Sequence, residues 1–179
     1  MSDEVYEKVI ESKLVYKGRL FNVRVDKVST SWGRVTTREI VEHPGAVVII
    51  PLFHNDSVVL VSQYRHAVGK VLLELPAGTL EVGECPERCA HRELEEETGY
   101  VAGKMEKITT LYLAPGYSTE KVHIYVASGL KKVGQKLEPD EKIKTVILKI
   151  DEAVDMIIKG EIEDAKTVAG IMLLKRLIS

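Results

Sequence analysis

The sequence of 179 residues lacks most of the features that would staple a chain, anchor it in a membrane or fix it to nucleic acid. It has two cysteines, Cys85 and Cys89. Two thiols cannot build a disulfide framework, and two residues alone do not make a structural zinc site. They read as free thiols, buried or half-exposed, which suits a reducing compartment. No apolar run approaches the ~18 residues of a membrane span. The first eight residues carry Asp3, Glu4 and Glu7, unlike the apolar stretch of a signal peptide. Charge of neither sign dominates: the net charge is −2 and the pI about 6.2, so the basic footprint of a nucleic-acid binder is missing. Low-complexity tracts and internal repeats are also lacking. The expectation is a cytoplasmic protein with neither nucleic acid nor a membrane as its partner. What is present is ordinary for a globular protein: 45% hydrophobic and 29% charged residues. The length suits one domain, or one domain with a small extension.

Patterning places the elements. Phe21, Val23, Val25 and Val28 lie among Asn22, Arg24, Asp26 and Lys27, the alternation of a strand. Ser31-Trp32-Gly33 signals a turn, and 35–41 reads as the return strand of a hairpin. Residues 46–52 form a near-continuous β-branched run, predicting a strand covered on both faces. Strands follow at 57–64 and 71–75, the latter stopped by Pro76. The clearest helix is 85–97, with Pro86 in its first turn and Gly99 just past its end. Further strands are predicted at 108–113, 122–127 and 143–150, then helices at 151–158 and 165–178, with Asp151 and Asp164 as N-caps. Strands mixed with one central and two terminal helices imply an α/β sandwich. Residues 1–44 are expected to form a small β subdomain and 45–179 the main domain.

The segment that carries chemistry is 78–100, GTLEVGECPERCAHRELEEETGY. On an α-helix Glu93 and Glu97 lie within about 40° of each other, with Glu96 about 60° to the other side of Glu93. Three carboxylates then share one edge. Like charges four residues apart repel, and the C-terminal end of a helix is the wrong end for anions. A hard divalent cation removes both objections, and Mg²⁺ takes oxygen ligands while keeping waters that a phosphate can replace. A solvated acidic face is the plain alternative for these residues taken alone. Arg92, beside them, is placed to pair with a neighbouring carboxylate, and Gly78 and Gly83 leave the preceding loop free to bend.

The segment resembles the Nudix box, which is glycine, five residues, Glu, seven residues, Arg-Glu, an apolar residue, any residue, Glu-Glu, any residue, Gly and an apolar residue. Here Gly78, Glu84, Arg92, Glu93, Leu94, Glu96, Glu97, Gly99 and Tyr100 fill it. Tyr100 is aromatic where an aliphatic is commoner. The resemblance implies a Nudix-type α/β/α sandwich with a mixed sheet, preceded by an N-terminal antiparallel β-hairpin subdomain. It implies Mg²⁺, or Mn²⁺ as a substitute, on Glu93 and Glu97 with Glu96 assisting, and Arg92 holding the carboxylates. For Glu84 a structural salt bridge competes with metal contact.

Other stretches resemble the ADP-ribose pyrophosphatase group within that superfamily. Leu75-Pro76-Ala77-Gly78 matches its run before the box, which implies that the Ala77 carbonyl binds metal. Pro115-Gly116, within Leu113–Glu120, lies sixteen residues beyond Gly99, as the group's loop does, with Ala114, Tyr117 and Thr119 as departures; an ordinary β-turn is the alternative. Arg38 to Gly45, Gln63-Tyr64-Arg65 and Gly160 to Ala169 resemble three further stretches. By this resemblance Glu39 accepts from adenine, while Arg38 and Arg65 face nucleotide or phosphate, a task suited to a planar guanidinium. Surface salt bridges are the alternative for all three. Phe21 and Trp32 are candidates for stacking, with packing the simpler role. The resemblance further implies a general base on the loop before the last strand, where Glu141 comes first and Glu138 or Asp140 next, because Pro139 stands at a position that is commonly acidic in the group; a flexible acidic loop is the alternative.

The expected activity is Mg²⁺-dependent hydrolysis of ADP-ribose to AMP and ribose 5-phosphate. Another nucleoside diphosphate sugar or a dinucleotide is the alternative substrate, and a nucleotide-binding sensor without turnover the alternative class. The resemblance also implies a homodimer through the N-terminal hairpins, since a small apolar extension needs cover.

Overall fold

The fold is that of a computed structural model, which describes residues 5–54, 56–137, 139 and 141–178. The chain divides into two compact units, Met1–Gly45 with Tyr112–Lys121, and Ala46–Leu111 with Val122–Ser179.

The first unit is built on an antiparallel sheet of β1 (Glu7–Lys17), β2 (Asn22–Thr30) and β3 (Val35–Glu42), in that order. The β2–β3 hairpin is the one predicted. Its turn closes with Gly33 at φ +86° donating to the Thr30 carbonyl at 3.0 Å. β1 was not predicted. All eleven of its residues are exposed, so no buried face imposes a two-residue period, and Val9, Ile10, Leu14, Val15 and Tyr16 scatter over both sides. Register shifts at Val9/Glu11 and Leu14/Tyr16 disturb it further. The Pro115-Gly116 segment is zipped along β3: the Val41 amide donates to the Tyr117 carbonyl at 2.8 Å and the Thr119 amide to the Val41 carbonyl at 3.0 Å.

The second unit is a sandwich around a mixed sheet. Its strands are β4 (Ala46–Phe53), β5 (Ser57–Arg65), β6 (Lys70–Glu74), β7 (Ala77–Thr79), β8 (Tyr100–Val101), β9 (Lys104–Tyr112), β10 (Lys121–Ser128), β11 (Lys131–Lys132) and β12 (Ile143–Lys149). The main path runs β12-β5-β4-β10-β9. The β4–β10 pair is parallel and β12–β5 is antiparallel. The apolar run of β4 is buried on both faces, as its composition predicted. Val47 and Ile49 pack with Cys89, Ala90 and Leu94 on the side of α1 (Pro86–Glu93). Val48 and Ile50 pack with Ile150, Ala153, Ile171 and Leu174 of α2 (Ile150–Ile158) and α3 (Ala165–Ile178). Each such side chain contributes about 1.5–3 kcal/mol by leaving water, and alternation along one strand joins two helical layers.

A split in this sheet positions the site. β4 and β5 pair only next to their turn, at Leu52↔Val58 and Phe53↔Ser57. Beyond that they diverge, and β6 pairs with β5 while β7 pairs with β4. Leu75-Pro76 crosses the gap, with the Pro76 carbonyl accepting from the Ile49 amide at 2.9 Å.

Two helix expectations need correction. The helix predicted over 85–97 is α-helical only to Glu93; Leu94–Thr98 is a π-helical turn closed by Gly99 at φ +71°. Asp151 is not an N-cap. Lys149 holds that position with no side-chain bond, and Asp151 sits inside the first turn of α2, paired with Lys175 at 2.6 Å. Asp164 does cap α3, accepting from the Thr167 amide at 3.0 Å.

Candidate active site

The split in the sheet brings the Ala77–Thr79 strand against the acidic end of α1. The Ala77 amide donates to Glu97 Oε2 at 3.0 Å. An extended residue aims its N–H and C=O to the same edge of its strand, so the Ala77 carbonyl faces the Glu97 side as well. Gly78 is required by close approach: a Cβ there would stand 1.8 Å from the Glu93 carboxyl carbon. Glu93 and Glu97 are buried, at 9% and 4% exposure, while Glu96 keeps a third of its side chain in solvent. The π turn changes the basis of the edge predicted on an ideal α-helix. With bonds from i to i+5 it rotates less per residue, so Glu97 falls back over Glu93 and both face β7.

Arg92 organises the outer side. Its Nε and Nη2 grip Glu84 at 3.0 Å each, and its Nη1 reaches Glu93 at 2.7 Å and Glu96 at 3.0 Å. That fork holds Glu84 far below the ordinary carboxylate range, at about 2. Glu84 thus forms the salt bridge that was one of the two roles open to it. Burial acts the other way on the inner pair. It raises Glu93 against the pull of Arg92. It raises Glu97 to about 8, with the Ala77 amide opposing and the charges of Glu93 and Glu141 adding. Glu141 thus lies within electrostatic reach of both carboxylates. Glu138 and Asp140, its rivals as base, lie outside the described residues.

Two neighbouring carboxylates whose charged forms burial disfavours have the chemistry of a candidate cation site. Among the described residues no three His, Cys, Asp or Glu side chains form a ready cage. Mg²⁺ does not need one, since it is usually held by one or two carboxylates with phosphates and waters completing its shell. Cys89 is buried, and burial pushes its thiol to about 12; Cys85 is exposed.

The NUDIX domain family model matches residues 42–170. The chain belongs to the Nudix family. A methanol dehydrogenase activator from Bacillus methanolicus is 41% identical over 171 residues, covering 94% of this chain and 92% of that one. An ADP-ribose pyrophosphatase from Bacillus subtilis (strain 168) is 37% identical, with the same coverage. The crystal structure of an ADP compounds hydrolase superposes with a TM-score of 0.87 over 99% of this chain and 97% of that chain, at 24% identity, which speaks for the fold.

Within this Nudix chain the other candidate residues fall in two places. Arg65 ends β5, and its Nε and Nη2 bond Glu74 at 2.7 and 2.8 Å. Arg38, Pro115 and Gly116 line a cavity of about 280 Å³ in the first unit, together with Glu7, Arg24, Ile40 and Tyr117. There the Arg38 guanidinium is paired with Glu7, through Nε at 3.0 Å and through Nη2. Glu39 is exposed, stands one residue along β3 from Arg38 and therefore faces the other side; it is not among the lining residues. Phe21 packs near Tyr16, ring centres 6.0 Å apart, and Trp32 is exposed. Among the described residues no helix is long and apolar enough to cross a membrane.

Sequence reasoning missed three groups that hold the site. Gln135 donates from Nε2 to the Glu97 carbonyl at 2.6 Å, and the Lys136 amide donates to the Glu96 carbonyl at 3.1 Å. These satisfy carbonyls that the helix end leaves open. Glu74 and Lys166 form a buried ion pair behind Arg65. The Thr167 hydroxyl accepts from the Leu75 amide at 2.8 Å. The Gly160–Ala169 resemblance contained Lys166 and Thr167, but their partners lie some ninety residues away and leave no local signal.

Proposed function

We propose that this Nudix enzyme hydrolyses the pyrophosphate bond of ADP-ribose, water adding to one phosphorus to give AMP and ribose 5-phosphate. The observation that carries the proposal is the buried Glu93–Glu97 pair set against Ala77 in the split of the sheet. Glu93, Glu97 and the Ala77 carbonyl, with Glu96 assisting, would hold a divalent cation, Mg²⁺ first and Mn²⁺ as substitute. When bound, such an ion neutralises pyrophosphate charge and lowers the pKa of a bound water. Arg92 restrains Glu93 and Glu96 from the solvent side, so the carboxylates lose little freedom when they bind. Glu141 is the candidate to accept the proton of the attacking water, from a position within electrostatic reach of the pair. Arg65 faces substrate phosphate. The cavity bearing Arg38, Pro115 and Gly116 is the candidate pocket for the base, with Glu39 a further candidate contact.

The two free thiols support a cytoplasmic setting. β1 supports a homodimer: an exposed strand carrying Val9, Ile10, Leu14, Val15 and Tyr16 is an edge that a second copy would cover.

The test is product formation from ADP-ribose, GDP-mannose and UDP-glucose, with Mg²⁺ and with excess EDTA. AMP appearing fastest from ADP-ribose, and only with metal, supports the proposal. Equal rates on all three substrates remove the adenine assignment. Tight binding of ADP-ribose without turnover under any divalent metal would make the protein a nucleotide-binding regulator.

A further inference from the structure

Glu74 is 1% exposed and lies outside the acidic cluster. A buried carboxylate is tolerated only when paired and hydrogen-bonded. This one is held by Nε and Nη2 of Arg65 at 2.7 and 2.8 Å and by Lys166 Nζ. Lys166 also bonds Asp164 Oδ2 at 2.9 Å, and the same oxygen accepts from the amide and hydroxyl of Thr167. Thr167 Oγ1 in turn accepts from the Leu75 amide. One continuous chain of polar contacts thus runs from the Arg65 guanidinium, through Glu74, to the cap of α3 and back to the residue two before Ala77.

The chain does more than bury charge. A carboxylate bound to two donors of one guanidinium fixes its plane as well as its place. Burial pulls Glu74 toward neutrality, but Arg65 and Lys166 overcome it and keep its pKa below the ordinary value. The Nε–Nη2 edge of Arg65 is committed to Glu74. Its Nη1 end makes no hydrogen bond among the described residues, and 39% of the side chain remains in solvent. That charge is near enough to Glu97 to act on it. A guanidinium locked on one edge and open on the other, beside the acidic pair, is shaped to receive an anionic oxygen.

We propose that Glu74 is the positioning residue for Arg65: it orients the guanidinium so that the Nη1 end meets a phosphoryl oxygen of the substrate, and Lys166, Asp164 and Thr167 lock that arrangement to the Leu75–Ala77 corner. The proposal rests on the reading of the site as a pyrophosphate hydrolase. Interactions made equally with bound substrate and transition state appear in KM, and those made in the transition state alone appear in kcat. A phosphate contact of the first kind predicts a KM effect.

The experiment is a double-mutant cycle on the full chain, with Arg65→Met, Glu74→Gln and the pair together. KM and kcat are measured with ADP-ribose and Mg²⁺, Kd for ADP-ribose with Ca²⁺ in place of Mg²⁺, and each thermal midpoint is recorded. Arg65→Met is expected to raise KM and Kd roughly tenfold or more. Glu74→Gln is expected to raise them in the same direction with kcat within about threefold, and to add nothing in the Arg65→Met background. Should Glu74→Gln fold poorly, Glu74→Asp keeps the charge, withdraws it by one methylene and is expected to give a smaller rise. A fall in thermal midpoint with KM and Kd unchanged in the Glu74 variants, or Glu74 and Arg65 effects that multiply independently, would overturn the proposal. Coupled Kd effects in a chain that does not hydrolyse ADP-ribose would uphold the positioning role and remove the hydrolase reading. A chain that neither binds nor hydrolyses ADP-ribose removes both.

Discussion

Glu97 offers the sharpest test of the site, because its function should be visible as a burden on the fold. Burial holds this carboxyl near pH 8 instead of 4.5. Between those values the folded protein keeps a proton that the unfolded chain has released. Where the native state binds more protons, stability falls as pH rises. The contribution is therefore intact below about pH 4.5 and lost as pH climbs through 8. At about 1.4 kcal/mol per unit, the full shift corresponds to about 5 kcal/mol above pH 9 and about 3 kcal/mol at pH 7. Part of that figure is the mutual repulsion with Glu93 and Glu141, which a single substitution relieves only once. Glu97→Gln keeps an oxygen for the Ala77 amide and removes the charge. In EDTA the variant should be more stable than the wild type by about 2–4 kcal/mol at pH 9 and by under about 1 kcal/mol at pH 5. Urea unfolding at pH 5, 7 and 9 measures this directly. Added Mg²⁺ should stabilise the wild type and leave the variant nearly unchanged, while hydrolysis is lost. A difference that does not vary with pH, or a variant less stable at pH 9, would refute the claim that this carboxylate is held under strain for a cation.

Three further outcomes follow from particular contacts. Gly78→Ala drives a Cβ into the Glu93 carboxylate at 1.8 Å. That carboxylate is the far end of a flexible side chain, so the variant should fold with a stability loss under about 1 kcal/mol yet lose roughly a hundredfold in kcat, the scale of a misplacement of about 1 Å. Gly99→Ala meets backbone, with Gln135 N and Gly134 C at 2.7 Å and φ at +71°. It should lose about 1–3 kcal/mol or more by urea unfolding, whereas Gly33→Ala, equally left-handed at φ +86° but in open space, should lose about 1 kcal/mol. Leu14→Glu places a charge on the exposed β1 edge and should convert a dimer to a monomer by light scattering; a wild type that is already monomeric removes the dimer proposal.

The parts of the fold that were legible are those whose cause is local. Residues 46–52 announce a doubly covered strand because both faces of β4 are buried, and nine constrained positions in 78–100 name a family because one short segment carries the chemistry. The π turn was not legible. Leu94-Glu95-Glu96-Glu97-Thr98 is good α-helical sequence, and what diverts it is tertiary: the Ala77 amide on Glu97 and the Gln135 side chain on the Glu97 carbonyl. β1 was missed for the opposite reason, since a strand exposed on both faces has no pattern to show. Arg65 and Lys166 were each readable as cations in resembling stretches, but nothing in the sequence says that Glu74 binds both.

The charges near the split in the sheet also explain why it should hold a cation at all. Glu84, Glu93 and Glu96 share the one guanidinium of Arg92, and Glu97 adds a fourth carboxylate within electrostatic reach of Glu93, a formal excess of three negative charges when all are ionised. Arg65 offsets it only in part: it acts on Glu97 from a distance, while its Nε–Nη2 edge is committed to Glu74. Arg92 settles the outer members: Glu84 is held strongly acidic by the fork. The inner members face β7; Glu93 keeps one contact with Arg92, whereas Glu97 has no such ion pair among the described residues, and burial leaves it to recruit a positive charge of its own. Without metal that charge is a proton, which is what a pKa near 8 on Glu97 means. A divalent cation and a proton therefore compete for the same oxygens. Metal binding at pH 7 should release close to one proton per Glu97 occupied, and none above about pH 9, so affinity should strengthen with rising pH until Glu97 is fully ionised and then level off.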